Sequence, residues 1–318
     1  MTVLEASPRE TYGKTLVELG KQDPNVVVFD ADLSKSTMTQ YFAREFPGRF
    51  FDCGLSEQNM IGMAAGMAAS GKTVFASTFA VFAMGRCYDQ VRMCLAQQHL
   101  NVKIVATHAG ITVGEDGSSH QAVEDLALST SLPGFTVLSP ADSIETDKAI
   151  RAAAATPGPF YVRLCRPKVA VIYPADYNFQ IGKATILRQG TDATLAATGV
   201  MVHYALKASE LLAAEGISCR VVNFSTIKPI DEAAVIQAAQ QTGAIVTAED
   251  HMDRGGLGDA VGRVLLANSP VPFYAVGLKD TYGKSGKPDE LLKKYGLTPE
   301  DLAKEVRKII ARKHGRAS

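Results

Sequence analysis

The chain reads as an α/β protein of two domains, each built on a mostly parallel sheet, and three observations carry that expectation. Apolar runs rich in β-branched residues alternate with helical segments through the first half, a polar strip with prolines interrupts them, and a shorter series of the same kind follows. The first series is VVVFDADL at 26–33, TVFAST at 73–78, KIVATHAG at 103–110, FTVLSPAD at 135–142 and FYVRLC at 160–165. Runs that are apolar throughout suit parallel strands covered on both faces. After Arg166 the chain passes Pro167 and Pro174 and stays polar to about Gly190, which reads as a linker. ATLAATG at 193–199, SCRVVNFS at 218–225, GAIVTAED at 243–250 and PFYAVGL at 272–278 then alternate with Ala- and Leu-rich helices. The expected division is residues 1–170, a linker over 171–190, and a smaller domain over 191–318. The terminal segment sets Leu302, Val306, Ile309 and Ile310 on one face, with Lys304, Arg307, Lys308, Arg312 and Lys313 elsewhere. Cations at a helix C-terminus complement its dipole, and no aromatic residues interleave them, so this basic end does not call for nucleic acid.

Composition narrows the class. The 318 residues are 46% hydrophobic and 21% charged, with 33 Lys plus Arg against 33 Asp plus Glu, so no global field favours nucleic acid or an anionic membrane. The opening MTVLEASPRE lacks a basic-then-apolar leader, and every apolar run is too short to span a bilayer, which predicts a cytoplasmic chain. Five cysteines, Cys53, Cys87, Cys94, Cys165 and Cys219, are odd in number and lack CxxC spacing. They read as reduced, buried thiols rather than metal ligands.

One segment stands out. DCGLSEQNMIGMAAGMAA, residues 52–69, sets a single carboxylate, Glu57, at the head of a helix made of small and apolar residues. Met60, Ile61, Met63, Ala64, Met67 and Ala68 leave little polar face, and Gly62 and Gly66, one turn apart, permit a close backbone neighbour, so the helix reads as buried at a contact. A carboxyl in such company is costly unless bonded: Glu57 either caps local amides or exchanges a proton with something bound.

Gly255, Gly256 and Gly258 precede a predicted helix, but the next glycine is Gly262, one position too far for a dinucleotide fingerprint, and a tight turn accounts for them. In ATHAGITVGEDGSSHQAVEDLA, His108, Asp116 and His120 bracket a Gly-rich loop after a strand, where ligands of α/β sheets gather. Two imidazoles and a carboxylate suit proton transfer to hydroxyls, although surface loops also collect such residues without purpose.

Taken together, GLSEQNMIGMAAGMA, STFAVFAMGR, THAGITVGEDGSSHQ and NFSTIKPID, in that order, resemble the C-terminal half of transketolase, and the likeness covers nearly the whole chain. The resemblance implies a thiamine pyrimidine-binding domain followed by a smaller transketolase C-terminal domain, with thiamine diphosphate as cofactor. The family's diphosphate-binding domain carries a GDG motif and a later Asn; this sequence has no GDG, and its nearest approach is GEDG at Gly114–Gly117. The implied protein is the C-terminal subunit of a split transketolase, inactive alone. A separate N-terminal subunit would supply the diphosphate-binding domain and hold Mg2+ or Ca2+, leaving no metal site here. Two copies of each chain are expected.

By the same resemblance Glu57 is the activating glutamate that bonds the pyrimidine ring nitrogen, and Phe79 and Phe82 hold the pyrimidine, although their spacing fits simple core as well. Where the family has a further aromatic residue this chain has Gly85 and then Arg86, so Arg86 is a candidate for the third wall. His108 and His120 match catalytic, substrate-contacting histidines, Asp116 a hydroxyl-recognising carboxylate, and Arg9, Ser36 and Arg166 a sugar-phosphate site. Asp32 and Leu33 match residues that approach the cofactor at the subunit interface, although Asp32 also reads as a helix cap. Ala109 replaces an Asp found in many transketolases. The implied reaction is transfer of a two-carbon ketol unit from a ketose phosphate to an aldose phosphate. Deoxyxylulose phosphate synthase, the β subunit of a 2-oxo acid dehydrogenase, and a noncatalytic partner-binding subunit are the competing readings.

Overall fold

The computed structural model describes residues 4–315. Seven strands form one sheet in the order Thr226–Lys228, Thr136–Leu138, Phe160–Arg163, Val102–Thr107, Thr73–Phe79, Val26–Asp30 and Phe50–Asp52. All pairings are parallel except that of Thr226–Lys228, which lies antiparallel against Thr136–Leu138 at one edge. Five strands form a second sheet in the order Phe273–Leu278, Ile245–Met252, Ala193–Ala197, Cys219–Asn223 and Thr185–Arg188, the last antiparallel. This is the expected α/β architecture with mostly parallel sheets.

The two-residue period of a strand sorts the first sheet into two cores. Val26, Val28, Phe75 and Val105 meet Tyr12, Leu16, Phe42 and Ile150 from helices Pro8–Gln22, Gln40–Glu45 and Ser143–Ala155. Val27, Phe29, Val74 and Ala76 meet Met60, Ile61 and Ala64 of helix Glu57–Ala69 on the other face. That second core runs on into Val222, Phe224, Ile227 and Val261, so the halves share apolar interior. Helix starts follow local capping chemistry: Asp142 accepts from Glu145 N at 2.8 Å, Asp231 from Ala234 N at 3.1 Å, and Thr298 and Asp301 form a reciprocal capping box.

Several expectations need correction. Thr185–Arg188 lies inside the stretch read as linker, yet it forms the edge of the second sheet, because its backbone pairs with Cys219–Asn223 far along the chain. Phe50–Asp52 and Thr226–Lys228 add strands at the two edges of the first sheet. The helix that follows Glu57 is buried on one face only, through Met60, Ile61, Ala64, Ala65 and Ala68. Gly62, Met63 and Gly66 are exposed, and a Cβ at Gly62 or Gly66 would meet nothing within 4 Å, so no backbone of this chain approaches there. The turn at Gly255–Gly258 is indeed tight. The buried Glu249 carboxyl accepts from Leu257 N and Gly258 N, both at 2.8 Å, which fills the helix N-terminus with one of the chain's own side chains. All five cysteines are free thiols, but only Cys87 and Cys219 are buried, while Cys53, Cys94 and Cys165 are half-buried at the margins of their cores. No helix among the described residues is long and apolar enough to cross a membrane.

Candidate functional site

Asp30, Asp52, Phe79 and Thr107 end four neighbouring parallel strands along one edge of the first sheet. Several of the residues singled out above leave from that edge, the usual place for a ligand on such a sheet. Asp32 follows the first strand, Glu57 opens the helix after the second, Phe79 ends the third with Phe82 in the turn after it, and His108 follows the fourth.

Glu57 is 2% exposed and sits at the first helical position. It does not cap: its only hydrogen bond among the described residues comes from Arg86 Nη1 at 2.6 Å. Arg86 is 49% exposed and lies 4.5 Å above the Phe82 ring, so its charge faces both a buried anion and an aromatic face. Phe82 and Arg86 belong to one π-helical turn, Val81–Arg86.

Phe79 packs its ring 3.8 Å from that of His108, nearly parallel, and 6.0 Å from that of Phe82. His120 stands edge-on to both, 5.4 Å from Phe82 and 6.2 Å from Phe79. Four of the expected site residues therefore form one aromatic and imidazole cluster, connected through Phe82 and Arg86 to Glu57. His108 has a left-handed backbone, φ 58°, unusual for a residue with a side chain. Its Nδ1 lies 2.9 Å from Thr107 Oγ1, and burial, then the charges of Arg9 and Arg166 and the neighbouring His120 ring, lower its pKa to about 3. It is a neutral imidazole near pH 7. His120 Nδ1 lies 2.9 Å from Ser119 Oγ.

Arg9, Ser36 and Arg166, remote in sequence, meet. Arg9 Nη1 donates to Ser36 O at 2.5 Å and Nε to Arg166 O at 3.1 Å, while Arg166 Nη1 donates to Val113 O at 2.6 Å and approaches Glu115 at 3.3 Å. Beside them runs a groove of about 390 Å3 lined by Ser7, Arg9, Thr112, Arg166, Lys168 and Pro288 among others. Asp116 is exposed on the loop and makes no side-chain hydrogen bond among the described residues. Asp32 is exposed with φ 60° and does not cap the next helix. The buried Asp30 instead ties the segment together, accepting from Leu33 N at 2.7 Å and from the hydroxyls of Thr37 and Thr39, although the helix itself has no side-chain cap. Leu33 is half-buried beside it.

Neither the ion pair Glu57–Arg86 nor the role of Asp30 is visible in the sequence. Twenty-nine positions separate Glu57 from Arg86, and no local spacing rule reaches that far. Among the described residues no three His, Cys, Asp or Glu side chains converge to hold a metal ion.

The fold has known relatives. The model of the transketolase pyrimidine-binding domain matches residues 5–171, and that of the transketolase C-terminal domain matches residues 182–302. Over 301 residues the chain is 50% identical to a Methanocaldococcus jannaschii protein named "Putative transketolase C-terminal section", covering 94% of each. It is 42% identical over 308 residues to the 6-deoxy-6-sulfo-D-fructose transketolase subunit SqwH of Clostridium sp. (strain MSTE9), covering 97% of this chain and 96% of the other. A solved structure described as "Split gene transketolase, inactive beta4 tetramer" superposes with a TM-score of 0.91 at 48% identity, covering 96% of this chain and 99% of that one. The chain belongs to the transketolase family, in which it corresponds to the C-terminal section.

Proposed function

We propose that this chain is the C-terminal subunit of a two-chain, thiamine diphosphate-dependent transketolase that moves a two-carbon ketol unit from an anionic ketose to an aldose phosphate, and that it works only with an N-terminal subunit. The observation that carries the reading is a buried carboxylate, Glu57, at the strand edge beside a cluster of two phenylalanines and two histidines.

That set of groups fits an aminopyrimidine. A flat heteroaromatic ring needs apolar faces and one acidic partner for a ring nitrogen, and Phe82 with Glu57 offers both. Bound thiamine diphosphate supplies the nucleophilic carbon that cleavage beside a ketose carbonyl requires. Glu57 then holds the proton on the pyrimidine ring nitrogen, a contact strengthened where water is scarce. Phe79 and Phe82 orient the ring, with Asp32 and Leu33 at its margin. His108, neutral and tied through Nδ1 to Thr107, keeps Nε2 for a substrate hydroxyl proton, and His120, tied through Nδ1 to Ser119, does the same. Asp116 accepts from a sugar hydroxyl. Arg9 and Arg166, with Ser36, bind the anionic end of the sugar, since guanidinium forks match tetrahedral oxyanions. Phosphate and sulfonate both present such oxygens, and the Clostridium relative is named for a sulfosugar.

The divalent ion, Mg2+ or Ca2+, belongs in this reading to the N-terminal subunit, whose diphosphate-binding GDG motif this sequence lacks. The solved split-gene relative is a tetramer of β chains described as inactive, which supports dependence on a partner. Two copies of each chain are proposed for the active assembly. Mixing the chain with its N-terminal partner, thiamine diphosphate and Mg2+ should create activity with xylulose 5-phosphate and an aldose phosphate that neither chain has alone. Activity with pyruvate instead would place the pair with the deoxyxylulose phosphate synthases or 2-oxo acid dehydrogenases. No activity with either donor would favour a noncatalytic subunit.

A further inference from the structure

The loop from His108 to His120 takes its shape from the second half of the chain. It leaves its strand through left-handed residues at His108, Gly110, Gly114 and Gly117 and contains only one short turn of 3-10 helix, Ile111–Val113. Such a segment has little regular hydrogen bonding of its own and must be held from outside. Asp250, near the end of strand Ile245–Met252 in the second sheet, supplies the hold. It is 2% exposed, accepts from Ile111 N at 3.0 Å, and accepts from the Thr112 hydroxyl at 3.3 Å.

Three further observations mark this as a fitted contact. A Cβ at Gly110 would fall onto the Asp250 carboxylate, so the glycine lets the backbone press against it. The Ile111 side chain is fully buried in the core of the second half, with Ala248, Val276 and Leu291. The far end of the loop is fastened to the second half as well: Arg163 donates to Ala122 O and Asp250 O, Met252 N donates to Val123 O at 2.8 Å, and Gln121 Nε2 donates to Lys284 O, beyond the second sheet's edge strand, at 3.0 Å. Both ends of the segment that bears His108, Asp116 and His120 are therefore anchored to the second half.

We infer that Asp250 is a positioning residue of the sugar site: its carboxylate fixes the loop through Ile111 and Thr112, and so sets the placement of Asp116, His120 and the Thr112 wall of the cationic groove. This inference rests on the transketolase reading for its kinetic consequence, and on the loop geometry alone for its structural one. Charge-assisted hydrogen bonds are among the stronger ones, and an amide in place of the carboxylate keeps one acceptor but turns a donor toward donors.

The test is Asp250→Asn, with Thr112→Val as a milder variant that removes one hydroxyl from the same contact. In the isolated chain, amide hydrogen exchange over residues 110–121 should speed up about tenfold or more in D250N and by a smaller factor in T112V, with exchange in strand Thr73–Phe79 unchanged. In the assembled complex the KM for the ketose donor should rise about tenfold, while the affinity for thiamine diphosphate changes less than about twofold. If D250N does not fold, T112V decides by the same readouts. Unchanged loop exchange in the folded variants, or a loss confined to cofactor affinity with the ketose KM intact, overturns the inference. Faster loop exchange in a complex inactive toward any sugar would sink the functional reading and leave the loop contact standing.

Discussion

The carboxylate of Glu57 lies 2.6 Å from Nη1 of Arg86, and the two partners differ sharply in surroundings: the acid is buried and the guanidinium is half in water. The pair is therefore asymmetric. Removing Arg86 leaves a buried anion without a counter-charge, whereas removing Glu57 leaves a cation that water still reaches.

Urea unfolding of the isolated chain should show this asymmetry. Arg86→Ala should cost about 1–2 kcal/mol and Glu57→Gln less, and Arg86→Ala should cost almost nothing more once Glu57 is Gln. Strictly additive effects of the two substitutions would mean that the ion pair contributes nothing.

The His108 imidazole carries a pH signature. Its folded pKa is lowered from 6.5 to about 3, so between those values the unfolded chain binds the proton that the folded chain refuses. The stability tied to His108 is complete above about pH 6.5 and falls as the pH drops toward 3. His108→Asn should flatten that part of the stability profile relative to the unsubstituted chain. The kcat/KM profile of the assembled enzyme should show no ionisation of His108 between pH 5 and 8. A wild-type profile with a limb near pH 6.5 that H108N abolishes would contradict a neutral His108.

Gly62 and Gly66 face open space in the single chain, and glycine in a helix interior costs about 1 kcal/mol relative to alanine. Gly62→Ala and Gly66→Ala should each stabilise the isolated chain by about that amount. Gly62→Leu should leave the isolated fold intact and weaken assembly, measured by sedimentation. Assembly indifferent to Gly62→Leu would remove this face from any interface.

Arg166 commits one donor to Val113 O and flanks the cationic groove. Reversing its charge with Arg166→Glu should raise the KM for a phosphorylated ketose about tenfold or more, with little effect on an unphosphorylated one. Equal losses with both would argue against contact with the anion.

Much of this was legible in the sequence where one element carries its own signal. The buried strands Val26–Asp30, Val102–Thr107 and Ala193–Ala197 announce themselves as apolar runs, and Glu57 is conspicuous in a helix of Met, Ala and Gly. The missed strands are short or edge-lying: Thr226–Lys228 and Thr185–Arg188 exist because distant backbones pair with them. The same holds for the site. His108 and His120 are visible as a pair around glycines, but the hold of Asp250 on Ile111 spans 139 positions and leaves no trace in local spacing. Asp32 does not cap because it is exposed with its backbone at φ 60°, while the buried Asp30, two residues earlier, ties the segment through Leu33 N and the Thr37 hydroxyl.

The central claim is that Glu57 activates a bound thiamine ring from a water-poor crevice, and reconstitution with Glu57→Gln tests it most directly. The account predicts that E57Q assembles with the N-terminal subunit as the wild-type chain does and loses at least about 100-fold in ketol transfer. Full activity in the assembled E57Q complex would contradict it.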